Sequence, residues 1–425
     1  MATEQTTYVS LKTSVTEVAL RGRSLEVNSN ESIVRGVRVL KDGVYGIASS
    51  NTEDFRALKE KALKAAAIGR TASRRIEGLA EAKLAKGSFE ACYEVSEEEA
   101  VDYVLSLADV LRDSLHPIEA VPEIVLATYT TERSIITSDG ADAFEKRTSV
   151  ELIASATYSS KSASLIVGFT GGLKHLPEPS LLARKISSRL VALLKARPLE
   201  FFKRGLRYSV VLSSECAGAL FHEVVGHLLE ADIIVERKLS IRPGIKLFKS
   251  DITVLDDPLI AEGYASYFFD DEGVLAFRKS LVENGRIVSL LHTRWTAYIM
   301  GATPNASARG LFIQPKTMQS NLMVKPGDWK TTELIEETRE GFYVEGLIKA
   351  ELKDGIVTII PEAFYYIRKG EIKYPVNATE LRLSLKTLAR EYVDIGRALS
   401  MRISSEKGFP IAEIAPPIRL KAVVV

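Results

Sequence analysis

Phe221-His222-Glu223-Val224-Val225-Gly226-His227-Leu228-Leu229-Glu230-Ala231-Asp232 holds two of the chain's five histidines, and a glutamate directly follows the first. A His-Glu pair with a second histidine soon after it, on a helix, is how many zinc peptidases bring metal ligands and a general base together. In such sites two neutral imidazoles bind the ion, a third protein group completes the set, and water takes the open position. The ion lowers the pKa of that water, and the glutamate takes its proton as the oxygen attacks a polarised carbonyl.

The spacing is unusual. Histidines four apart on a helix of 3.6 residues per turn are misaligned by about 40°. Here they are five apart, which leaves the side chains roughly 140° apart in an unbroken α-helix. Both can meet one ion only if the helix widens, and a single π-type turn does this, a feature that tends to sit at functional sites. Gly226, just before the second histidine, is where the backbone distorts most cheaply. On spacing alone the run reads either as a metal site on a distorted helix or as a regular helix with two unrelated histidines.

Working outward, Tyr208-Ser209-Val210-Val211-Leu212 reads as a strand leading into this helix, with Ser213 or Ser214 as its cap. Cys216 lies on the same helix, but eleven residues before His227 is about 16 Å along the axis. It reads as a small buried thiol. The only other cysteine is Cys92, so neither a disulfide framework nor a cysteine-rich zinc module is indicated.

The first half opens with strand patterns at 7–20 and 24–48 that turn at Lys41-Asp42-Gly43. A helix capped within Asn51–Asp54 follows, and then a second behind Ser96-Glu97-Glu98-Glu99, which has the form of a capping box. His116-Pro117 ends that helix. Strands resume over about 124–170, broken at Ser138-Asp139-Gly140. Leu182, Ile186, Leu190 and Leu193 line a further helix that Pro198 terminates. A boundary at about 197–205 divides the chain into an N-terminal domain, 1–200, and a C-terminal domain, 201–425. His175, among glycines and prolines, reads as a loop residue.

Beyond residue 250 the signals are strands and turns, at Asp256-Asp257-Pro258, Asp270-Asp271-Glu272-Gly273, Asn284-Gly285, Asp354-Gly355 and Lys369-Gly370. A short helix is expected around 332–340 and a longer one from Thr379 to Ser400, on the spacing of Leu381, Leu385, Leu388, Tyr392 and Ile395. Strands and helices do not alternate regularly. The fold class is therefore α+β: an N-terminal mixed sheet with helices, and a strand-rich C-terminal domain carrying the metal-motif helix.

With 46% hydrophobic and 26% charged residues the composition is that of an ordinary globular protein. A formal net charge of +1 argues against a nucleic-acid partner bound mainly through phosphates. There is no apolar stretch of about 18 residues to span a membrane, and no signal-peptide pattern. A cytoplasmic location is the expectation.

These residues carry a resemblance. His222-Glu223-Val224-Val225-Gly226-His227-Leu228-Leu229-Glu230-Ala231-Asp232 resembles the central motif of the TldD/PmbA family of modulators of DNA gyrase. Asp256-Asp257, Asp270-Asp271-Glu272-Gly273, Leu281-Val282-Glu283-Asn284-Gly285, Leu291-His292-Thr293-Arg294, Asn305-Ala306-Ser307-Ala308-Arg309-Gly310, Val324-Lys325-Pro326-Gly327-Asp328 and Glu371-Ile372-Lys373-Tyr374-Pro375-Val376 follow in the family's order. The resemblance implies a zinc peptidase in which His222 and His227 bind Zn2+ and Glu223 is the general base. It implies substrates that are unfolded or short peptides, and a homodimer or a heterodimer with a TldE/PmbA-like chain.

One departure bears on the metal. The family's catalytic branch completes its site with a cysteine near the C-terminus. Here Met401-Arg402-Ile403-Ser404-Ser405-Glu406-Lys407-Gly408-Phe409-Pro410 has none. Glu406 is one substitute, because two histidines and a carboxylate suit zinc; Glu230, Asp232, Asp271, Glu272 and His292 are others. The competing reading is a non-catalytic structural or substrate-binding subunit with a degenerate site.

Overall fold

The computed structural model describes residues 4–69, 75–198 and 205–425. The boundary expected at 197–205 falls largely on residues outside that set.

The first half is built on one long sheet. β1 (Gln5–Arg21), β2 (Ser24–Lys41), β3 (Val44–Ser50), β4 (Lys86–Ala91), β5 (Val121–Thr137), β6 (Asp142–Tyr158) and β7 (Lys161–Thr170) lie in the order β3-β2-β1-β5-β6-β4, with β7 also on β6. β4 pairs in parallel with Asp142–Arg147, and β7 pairs antiparallel with Ser149–Tyr158. The expected turn after β2 holds, with Asp42 and Gly43 both at positive φ, the conformation a two-residue hairpin loop requires.

Three helices cover this sheet. In α1 (Phe55–Gly69), Asp54 Oδ1 caps the first turn by accepting the Ala57 N–H. Leu58 and Ala62 pack on Val37 and Val39. In α2 (Glu97–Leu115), Ser96 accepts the Glu99 N–H, and His116 ends the helix. Its Val104, Leu107 and Leu111 join Leu182, Ile186 and Leu190 of α3 (Pro179–Lys195) over Ile124, Leu126 and Leu152.

The second half folds as two large sheets around a buried helix, with a short two-stranded pair, Ala308–Arg309 and Lys316–Thr317, besides. The larger sheet has ten strands; its central members are Arg207–Leu212, Ile418–Val424 and Glu340–Glu345, and Lys349–Lys353 is an edge strand. The smaller runs from Arg286–Ile287 to the hairpin Ser400–Glu406/Phe409–Ala415. Between them runs α4 (Ser214–Phe221), capped by Ser213. Cys216-Ala217-Gly218-Ala219-Leu220-Phe221 is apolar on every side and wholly buried, as a helix enclosed on all faces must be. The class is α+β, as expected.

Two expected helices are corrected. The helix around 332–340 is Thr331–Glu336, and Glu340 already begins a strand. The helix from Thr379 to Ser400 does not form. Leu381–Ser384 is a strand, Leu385–Leu388 a single helical turn, and Ser400 opens another strand. Leu381 and Leu383 are both buried, with Arg382 between them exposed. A period of two therefore decides the segment, and strand partners on both sides fix it.

The acidic run Asp270-Asp271-Glu272-Gly273 is a buried turn that joins the two halves. Asp270 accepts N–H bonds from Glu272, Val274 and Ala308. Arg133 of β5 reaches Asp271 Oδ1 at 2.6 Å, Arg38 of β2 donates to the Asp271 carbonyl, and Arg294 pairs with Asp139 at 2.6 Å.

Candidate metal centre

α4 does not continue as an α-helix. His222–Gly226 is a single π turn, and the His227 N–H donates to the His222 carbonyl. This i→i+5 bond widens the helix by one residue and aligns side chains five apart. The imidazoles meet edge to face, with ring centroids 4.6 Å apart and Nε2 atoms 3.1 Å apart. Gly226 has φ −52° and ψ −67°, a ψ about 25° from the α-helical value, so the backbone does depart from α geometry there, at angles that other residues can also adopt. What the missing Cβ provides is room for the Gln319 amide.

Each outer ring nitrogen is held by a carboxylate. His222 Nδ1 lies 2.6 Å from Glu413 Oε1 and His227 Nδ1 lies 3.1 Å from Glu230 Oε1. With Nδ1–H donating outward, both Nε2 lone pairs point at the space between the rings, the arrangement that orients ligating histidines. Arg402 anchors Glu413 through its other oxygen at 2.9 Å.

Glu406 completes the cluster. Its Oε2 lies 3.3 Å from His222 Nε2 and 3.3 Å from His227 Nε2. Donors 2.0–2.2 Å from a tetrahedral ion stand about 3.3–3.6 Å from one another; the two 3.3 Å edges match a zinc-sized ion, and the 3.1 Å edge between the imidazoles needs to open by about 0.2 Å. Glu223, one residue on from His222, keeps its carboxylate within 4.8 Å of both imidazoles' ligand atoms. Its Oε2 accepts the Leu352 N–H at 2.7 Å, which fixes the carboxylate beside the cluster.

The charges are tuned by contact. Burial alone would lower the pKa of His222, but Glu406 and Glu413 raise it to about 9. Burial pushes both carboxyls up; the imidazoles and Lys407 outweigh it and hold Glu406 at about 2, and Arg402 and His222 do the same for Glu413.

Three models of known families cover most of the chain. Residues 205–425 match the PmbA/TldA metallopeptidase C-terminal domain, residues 90–194 its central domain, and residues 11–69 its domain 1. The chain belongs to the PmbA/TldD family. A "Metalloprotease" of Methanothermobacter thermautotrophicus is 30% identical over 424 residues, covering 95% of this chain and 91% of that one. A "Zinc metalloprotease TldD homolog" of Saccharolobus solfataricus is 28% identical over 173 residues, 40% of this chain and 39% of that one. The solved structure of TldE from Thermococcus kodakarensis superposes with a TM-score of 0.80 at 16% identity, over 99% of this chain and 96% of that one, a likeness of fold.

Within this PmbA/TldD chain Glu230 lies in the cluster with other partners, and the remaining expected candidates are engaged elsewhere. Glu230 holds His227 Nδ1, and Asp232 is bonded to Thr317. Asp271 and Glu272 belong to the joining turn, where Glu272 accepts the Arg294 N–H. His292 Nδ1 meets Thr296 Oγ1, and burial lowers its pKa to about 4. His175 packs edge-on against Tyr93 and Phe169. Cys216 is a buried thiol bonded to the Gly346 carbonyl, pushed up to about 12 by burial. Arg309 stacks between the Tyr267 and Phe409 rings.

Glu413, Gln319 and Arg402 were not expected. Glu413 had a readable signal: it is a lone carboxylate in the apolar run Phe409-Pro410-Ile411-Ala412-Glu413-Ile414-Ala415. A glutamate buried in such a strand needs a charged or hydrogen-bonding partner.

Proposed function

We propose that this chain is a zinc-dependent peptidase acting on unfolded or short flexible peptides. The observation that carries the reading is the meeting of His222 Nε2 and His227 Nε2 at 3.1 Å across a π turn, with the Glu223 carboxylate alongside. Zinc held by His222 and His227 supplies a Lewis acid that lowers the pKa of water and polarises a carbonyl. Glu223 is the general base: the Leu352 N–H pins one carboxylate oxygen, leaving the other to take the proton and pass it to the leaving amine. Glu413 and Glu230 keep both imidazoles in one tautomer.

Lys349–Lys353 supports the peptide assignment. It is an edge strand of its sheet. The two-residue turn Asp354-Gly355 makes Lys353 and Ile356 a hydrogen-bonded pair. By alternation Ala350 and Leu352 turn their backbone groups outward, toward Glu223 in the case of Leu352. An extended peptide would add there as a further strand along the Ala350 side of the edge, the Leu352 N–H staying with Glu223, a sequence-tolerant mode of binding. No helix among the described residues is long and apolar enough to cross a membrane. For the oligomer, a second copy or a TldE/PmbA-like chain is the partner proposed, and the cytoplasm the compartment. Glu406 beside both imidazoles weighs against a non-catalytic subunit with a degenerate site.

The test is Glu223→Ala, assayed on an unstructured peptide together with zinc content. Hydrolysis is expected to vanish while zinc stays near one per chain. Unchanged hydrolysis in the variant would sink the general-base assignment.

A further inference from the structure

We propose that Glu406 closes the metal centre as a one-oxygen ligand whose second oxygen is held back by Lys407. The inference rests on the peptidase reading and gives it a definite donor set: two imidazoles and one carboxylate.

The two oxygens of Glu406 are differently placed. Oε1 pairs with Lys407 Nζ at 3.2 Å. Oε2 is buried, and the two Nε2 atoms, each at 3.3 Å, are what it faces. Beside neutral imidazoles such an oxygen has no donor, which costs free energy, and a cation held between the three atoms removes that cost. The neighbouring carboxylates are already engaged, Glu413 by His222 and Arg402, Glu230 by His227 and Lys407, Glu223 by Leu352.

The hairpin explains the placement. Glu406 and Phe409 close it across the Lys407-Gly408 turn, where both turn residues have positive φ. Arg402, Ser404 and Glu406 alternate onto one face of their strand; the first two reach Glu413 and the third reaches the imidazoles. Lys407 Nζ spans Glu406 Oε1 and Glu230 Oε2, at 3.2 and 3.5 Å. It thus links the proposed ligand to the carboxylate that orients His227. Lys407 is a positioning residue.

Two imidazoles and a carboxylate hold zinc in peptidases and also suit other first-row divalent ions. The experiment uses the full chain, stripped of metal and titrated with Zn2+ against a chromophoric chelator and with Co2+ by absorption. Wild type should take one Co2+ with visible d–d bands and no strong near-ultraviolet thiolate band. Glu406→Cys should gain that thiolate band. Glu406→Ala should bind zinc at least 100-fold more weakly, and Lys407→Met about 10-fold more weakly. Loss of zinc in His222→Ala with undiminished affinity in Glu406→Ala overturns this inference and leaves the peptidase reading standing, as does a cobalt spectrum of Glu406→Cys without the thiolate band. No zinc uptake by wild type overturns both.

Discussion

A methyl group on Gly226 would sit 1.9 Å from Gln319 Oε1, because the Gln319 amide lies across the π turn to reach His222 Nδ1 at 2.7 Å. The buried Gln319 amide has to move aside to admit that atom. Gly226→Ala is therefore expected to destabilise the protein by about 1–3 kcal/mol, the usual cost of overpacking, and to lower zinc affinity by displacing Gln319. Adding Gln319→Ala should restore most of the stability. Denaturant midpoints of the single and double variants check this, and equal loss in both would refute the steric account.

The metal-free protein should lose stability as the pH rises. His222 has a folded pKa raised from 6.5 to about 9 by Glu406 and Glu413 against the opposing effect of burial. Its proton then stabilises the fold fully below about 6.5 and ceases to do so as pH rises through about 9, a change of roughly 3 kcal/mol. Zinc competes for the same nitrogen, so zinc affinity should rise over that window. Unfolding midpoints with and without zinc between pH 6 and 10 decide it; a flat metal-free curve would contradict the prediction.

Glu413→Ala should weaken zinc binding by about 10–100-fold, the usual effect of removing the partner of a ligating histidine. Glu413→Gln should lose less, because an amide oxygen still accepts from His222 Nδ1–H. Competition titration with a chelator ranks the two, and the reverse order would argue that Glu413 acts by charge.

His292, which is not among the ligand cluster, gives the opposite pH dependence. Burial lowers its folded pKa from 6.5 to about 4. The neutral ring therefore contributes stability above about 6.5 that is lost as pH falls toward 4, again roughly 3 kcal/mol. His292→Gln should flatten that acid limb, which urea unfolding at pH 4–7 measures.

The five-residue spacing of His222 and His227 pointed to a π turn only on condition that both rings meet one ion; a regular helix with two unrelated histidines fitted the spacing as well, and the wider motif, not the spacing, favoured the first. The turns at Asp42-Gly43, Asn284-Gly285, Asp354-Gly355 and Lys369-Gly370 were legible, since both residues of each adopt positive φ, which few residue pairs accept. The segment from Thr379 to Ser400 was not. Its leucines satisfy two periods at once, and strand partners remote in sequence choose between them. Glu406 could be named as a candidate but not preferred over Glu230 or Asp271. Its selection depends on a hairpin lying against a helix, a tertiary fact.

Glu413 lies 191 residues beyond His222, and Glu406 sits on the same hairpin. During synthesis the two imidazoles leave the ribosome long before either carboxylate exists. A half-made chain therefore carries His222 without the carboxylate that holds its Nδ1, and no closed centre. For the peptidase proposed above, this order of synthesis would leave the nascent chain, and its neighbours on the polysome, uncut until folding has ended.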